Sequence, residues 1–158
     1  MGSRPRLRLA PVQLAPGNEA LWPHLRTEGY SVTSPPTWNY NCIAFAAGLE
    51  TEWWWPDPNS DAAWPRGVPC EETLEAFAAA FATLGYEICA DGELEQGYEK
   101  VAIYAQNGVP THAAKQLDDG RWKSKLGAWE DIEHNTLKAV EEHIYGRAAL
   151  FLSRKVSP

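Results

Sequence analysis

Residues Lys100–Lys125 read KVAIYAQNGVPTHAAKQLDDGRWKSK. Lys100–Gln106 alternates and is rich in β-formers. Asn107-Gly108 adopts positive φ cheaply and closes two-residue hairpins, and Pro110–Leu117 is the return strand. Asp118-Asp119-Gly120 is a second tight turn, and Arg121–Lys125 follows as a third strand. The stretch is therefore an antiparallel meander.

Working outward, Tyr86–Ala90 reads as a short strand and Arg147–Ser153 as the last one. Between meander and last strand, Leu126–Asn135 reads as irregular and Thr136–Tyr145 as a short helix stopped by Gly146. Upstream, Glu71–Leu84 repeats Leu74, Phe77, Ala78 and Phe81 at helical spacing, with three glutamates in its first turn. Asn41–Gly48 is apolar and Ala-rich, with Asn before it and Gly after it, the pattern of a short buried helix. Asn18–Leu25 reads as a short helix, Ser31–Tyr40 as loop and 51–69 as a long irregular segment of the kind that often carries function. Residues 1–17 read as a tail or an edge strand, and 18–158 as one domain. A Cys-bearing helix packed on an antiparallel meander makes the expected class α+β.

The chain has 158 residues, three cysteines and a net charge of −7. That balance argues against a nucleic-acid partner, whose binders are usually basic. No apolar run approaches the ~20 residues of a membrane helix. The opening residues lack the apolar core of a secretory signal, so a cytoplasmic location is expected. Cys42, Cys70 and Cys89 form no CxxC pair. A disulfide framework is not indicated, and no metal or other cofactor is expected. Eight tryptophans are unusual for this length, and Trp53, Trp54 and Trp55 are consecutive. Trp38, Trp53, Trp54, Trp55 and Trp122 are candidate walls of a substrate cleft, with packing in the core as the equally weighted alternative.

The chemistry points to Cys42 and His112. Cys42 falls in the first turn of its helix, where free N–H groups favour a thiolate. His112 sits on a strand, rigid enough to hold a base within reach of a sulfur. A helix-borne cysteine followed by a strand-borne histidine, then by a polar residue across a hairpin, suits nucleophilic acyl transfer.

This order resembles the papain-like cysteine hydrolases. Asn-Tyr-Asn-Cys42-Ile-Ala-Phe is similar to their nucleophile helix, Thr111-His112-Ala113-Ala114 to their histidine strand, and Trp122–Gly127 to the stretch bearing the residue that orients the histidine. The resemblance implies a papain-like fold, Ser124 as third member, and Gln116, Lys125 or His134 as alternatives. It also implies Asn39 or Asn41 as oxyanion donor and a peptide or protein amide as substrate. The blocks at Tyr40–Gly48, Trp53–Pro56, Tyr86–Cys89, Lys100–Tyr104, Thr111–Gly127 and Asp131–His134 further resemble a bacterial family of uncharacterised function. The expected function is a thiol-dependent hydrolase or acyltransferase with a Cys42 thioester. The competing expectation is a non-catalytic module that binds a protein through its Trp-rich surface.

Overall fold

Asn107 and Gly108 take φ of 53° and 80°, and Gln106 lies opposite Val109, so the hairpin closes in two residues as its dipeptide demands. The computed structural model describes residues 12–156. Their elements are α1 (Pro16–Glu19), α2 (Leu25–Glu28), β1 (Tyr30–Ser34), α3 (Cys42–Ala46), α4 (Leu74–Ala82), β2 (Glu87–Cys89), β3 (Tyr98–Gln106), β4 (Val109–Gln116), β5 (Trp122–Lys125), β6 (Asp131–His134), a 3-10 turn (Leu137–Val140) and β7 (Arg147–Lys155). The strands form one sheet in the order β1-β6-β5-β4-β3-β7-β2, and every pairing in it is antiparallel.

The expected α+β, papain-like class is overturned. The molecule is β-rich, and its four α-helices span only four, four, five and nine residues. Helix is lost at three places. Pro23, without an N–H, stands where Asn18–Leu25 would have been continuous, and α1 and α2 form on either side of it. The long helix begins at Thr73, whose hydroxyl caps the Ala76 N–H, rather than at Glu71. Thr136–Tyr145 holds only the 3-10 turn, because Glu142 and His143 take φ of 74° and 41°. Strand is gained at Tyr30–Ser34, which runs into the expected Ser31–Tyr40 loop, and at Asp131–His134, within the expected irregular Leu126–Asn135. These two pair with each other from Tyr30↔His134 to Ser34↔Asp131, and β6 also pairs with β5. YSVTS and DIEH are too short and polar to announce themselves; the ladder hydrogen bonds hold them.

Residues 1–11 of the expected tail lie outside the described residues. Val12 accepts a hydrogen bond from the Val32 N–H at 2.7 Å, and Pro16 begins α1. No helix among the described residues is long and apolar enough to cross a membrane.

Strand alternation gives the sheet two buried faces. Val101, Ile103, Ala113 and Leu152 pack with α3, α4 and Trp54. Ala102, Tyr104, Ala114, Trp122 and Ile132 pack with Leu14, Trp22, Leu25, Val140 and Tyr145. Two irregularities flank Tyr104. The β3–β4 register slips between Tyr104↔His112 and Ala105↔Pro110, so Thr111 is an extra residue, and the β3–β7 register slips between Ile103↔Leu150 and Tyr104↔Ala148. Gly146 packs there so tightly that a Cβ would come within 2.1 Å of the Ala105 carbonyl oxygen. Bulges of this kind re-aim neighbouring side chains. Here the Thr111 hydroxyl donates to the Tyr145 carbonyl at 2.5 Å.

Candidate functional site

His112, Ser124 and His134 come from three successive strands and meet inside the protein, all fully buried. His112 Nε2 lies 2.9 Å from Ser124 Oγ, Ser124 Oγ lies 2.8 Å from His134 Nε2, and His134 Nδ1 lies 2.8 Å from the Thr136 carbonyl oxygen. A carbonyl can only accept, so His134 carries its proton on Nδ1. Burial holds the His134 pKa down to about 4, so that ring is neutral at pH 7 and its Nε2 is bare. The bare Nε2 accepts the Ser124 hydroxyl, and the Ser124 oxygen therefore accepts from His112 Nε2–H. Burial, with His134 nearby, also holds His112 well below its ordinary pKa. One backbone carbonyl thus fixes the tautomer of His112 two side chains away. It leaves His112 Nδ1 as a bare base with no hydrogen-bond partner among the described residues. The ring is held by Tyr145, stacked on it at 4.0 Å and 10°, and by Tyr104 at 5.2 Å in an edge arrangement.

Cys42 opens α3, which packs on β4 and β5. Asn41 caps the helix, its Oδ1 accepting from the Ala44 N–H at 3.0 Å. β4 and β5 pair at Lys115↔Lys123 and Gln116↔Trp122, the two positions where their ladder runs. The N–H of Ala113, the residue after His112, lies close enough to the Cys42 sulfur to favour its thiolate, as do the N–H groups of Ile43 and Cys42 itself. Burial outweighs them and pushes the thiol up to about 11. The expectation of a depressed thiol is therefore corrected. A five-residue helix supplies a weak field, and Cys42 as a whole is only 7 % exposed. Tyr145 stacks on the His112 ring, and no hydrogen bond joins the Cys42 sulfur to His112 Nδ1 among the described residues.

What exposure Cys42 has, it presents to a cleft of about 490 Å³ lined also by Asn41, Trp53, Trp55, Asp57, Asp61, Ala62 and Gly127. Trp53 and Trp55 line this cleft. Trp54 does not: it is core, edge-on to Trp64 and Phe81. Trp122 packs in the cluster with Trp22 and Leu126 and does not line the cleft. Trp38 is 74 % exposed and lies outside the lining, stacked on Trp53 at 6.0 Å. Trp122 is turned inward by alternation on β5, and Trp54 is tied through its N–H and carbonyl to Asn41.

Other expected roles change as well. The Asn41 amide is committed, donating to the Trp54 carbonyl at 2.8 Å while its Oδ1 also accepts from the Trp54 N–H at 3.0 Å, so it is no free oxyanion donor. Asn39 is exposed and does not line the cleft. Gln116 donates to the Gly92 carbonyl at 2.7 Å. Lys125 is buried beside Asp131 at 3.8 Å, over the Tyr40 ring at 5.0 Å, and donates to the Trp129 carbonyl. Of the alternatives for the third member, His134 belongs to the chain, one place further along than Ser124. Cys89 lies on β2, at the edge of the sheet remote from β6. Tyr145, Asp57 and Asp61 were missed. The aspartates lie in the long loop already marked as functional, while Tyr145 has no signal beyond the Gly146 that follows it.

A family model described as a domain of unknown function (DUF7689) matches residues 31–153, and the chain belongs to that family. That span contains Cys42, His112, Ser124, His134 and the whole cleft lining. No curated protein and no solved structure matches.

Proposed function

We propose that this member of the family is a thiol-dependent hydrolase or acyltransferase acting on an amide or peptide bond. Cys42 is the nucleophile, His112 its general base, and Ser124 the group that holds the base. The observation that carries the reading is the bare, unpartnered Nδ1 of a buried histidine whose other nitrogen is locked by a hydrogen-bond chain. A buried acceptor left without a donor costs about 1–3 kcal/mol, and a proton taken up from the Cys42 thiol would satisfy it.

The thiol and imidazole start neutral, so no ion pair is preformed. As the sulfur attacks the carbonyl carbon, its proton passes to His112 Nδ1 and the carbonyl π electrons move to oxygen. The oxyanion faces the first-turn N–H groups of Cys42 and Ile43, which have no partner within the helix. The imidazolium keeps its Nε2–H on Ser124, now as a stronger charge-assisted bond. Collapse expels the amine, which takes the proton from Nδ1 and leaves a Cys42 thioester. Water or a second amine then releases the acyl group. A reducing, cytoplasmic setting suits the three free thiols.

The test is labelling by a peptidyl electrophile that mimics the acyl group. Wild type is labelled at Cys42, Cys42→Ala is not, and His112→Ala is slowed roughly 10²–10⁴-fold. Iodoacetamide at pH 6, which has no affinity for the cleft, reacts at exposed Cys70 before Cys42. Equal labelling of wild type and His112→Ala removes the base. The exposed Trp38 on Trp53 favours a second reading, a non-catalytic module that binds a protein through this surface. Loss of partner binding in Trp38→Ala, with no labelling of Cys42, selects it.

A further inference from the structure

Resting on the reading of Cys42 as nucleophile, we propose that the cleft selects acyl donors bearing a cationic side chain, lysine or arginine, beside the attacked amide. The cleft joins three features in one lining: Cys42, two indole walls and two aspartates, Asp57 and Asp61. Neither carboxylate enters an ion pair among the described residues. Asp57 Oδ1 accepts from the Asn59 N–H at 2.9 Å, which fixes the group and leaves its second oxygen without a protein donor among the described residues.

The walls offer π faces rather than hydrogen bonds. Trp53 has already given its indole N–H to the Trp38 carbonyl at 2.6 Å, and Trp38 stacks parallel on one of its faces at 6.0 Å. Trp55 is fixed edge-on against Phe77 at 5.4 Å. A lysine or arginine stem is apolar and its tip is charged. The stem suits the indoles, and the tip is attracted both by their faces and by the carboxylates. An acidic side chain meets two like charges. A neutral apolar one fits the walls and leaves the carboxylates unpaired. Charge complementarity therefore names the occupant.

The experiment compares two chloromethyl ketone probes, lysyl-lysyl and norleucyl-norleucyl, which differ only in the ammonium groups. In each, the Cys42 sulfur displaces chloride and its proton goes to His112. The lysyl probe labels wild type on the order of tenfold faster, and added salt erodes the difference. Asp57→Asn with Asp61→Asn abolishes the preference, and an unchanged circular-dichroism spectrum and urea midpoint show that the domain is still folded. Asn retains the Oδ1 acceptor for the Asn59 N–H. Equal rates in wild type, or a preference that survives the double substitution, overturn the specificity while the nucleophile stands. No labelling of Cys42 by either probe overturns both.

Discussion

Ser124 is a small side chain with two obligations, accepting from His112 Nε2–H and donating to His134 Nε2. Ser124→Ala strands one buried donor and one buried acceptor. The expected outcomes are a loss of about 1–3 kcal/mol in urea denaturation and a His112 ring free to change tautomer. Nitrogen-15 NMR of the histidine rings reads this directly. Wild type shows the proton of His112 on Nε2 and that of His134 on Nδ1, and His134→Phe loses the first assignment. A wild-type His112 protonated on Nδ1 would end the case for it as a base. Cys42 shows the same competition between local and global effects. Its nearby N–H groups were readable from the Asn-Cys-Ile-Ala pattern; the burial that outweighs them was not.

At the scale of elements, α3 is too short to stand by itself, since isolated helices of a few residues are marginal in water. It is held by packing on β4 and β5 and by Asn41, which joins the helix start to Trp54 through three hydrogen bonds. Asn41→Ala removes a cap and two loop ties, an expected loss of about 3 kcal/mol. Limited proteolysis then cuts within residues 51–69 before the rest of the domain. Asn41→Asp keeps the acceptor and loses only the donation to the Trp54 carbonyl, so its loss is smaller. An Asn41→Ala loop as resistant as wild type would show that Trp54 is anchored by its aromatic neighbours instead. The central strands were legible because Lys100–Lys125 carries its own alternation and turn chemistry. β1 and β6 were not, because each becomes a strand only by pairing with the other.

For the molecule as a whole, the two buried histidines tie stability to pH. His134 falls from an ordinary value near 6.5 to about 4 on folding, and His112 falls as well. Both bind a proton more weakly in the folded state, so the unfolded chain takes up more protons as the medium becomes acidic. The contribution of His134 is whole above pH 6.5 and is lost as the pH falls through about 4, and that of His112 is lost in the same direction. His134 alone accounts for about 2 kcal/mol by pH 5, where carboxylates contribute little. Urea midpoints measured from pH 7 to pH 5 fall accordingly, and His134→Gln flattens the slope. A wild-type midpoint constant over that range would mean that neither ring is neutral and buried in solution.

By itself the sequence determined the local events: the hairpin at Asn107-Gly108, the cap at Asn41, the central strands, and the choice of Cys42, His112 and Ser124 as the residues worth watching. These are set within a few residues by backbone φ preferences, side-chain capping and period-two alternation. Tertiary structure alone decided that the class is β-rich, that Trp54 and Trp122 are core while Trp53 and Trp55 are cleft, and that the Cys42 thiol is held high. It also brought His134 and the Thr136 carbonyl to Ser124. Burial and hydrogen-bond partners are properties of residues distant in sequence, and no local pattern encodes which of two faces a side chain will find covered.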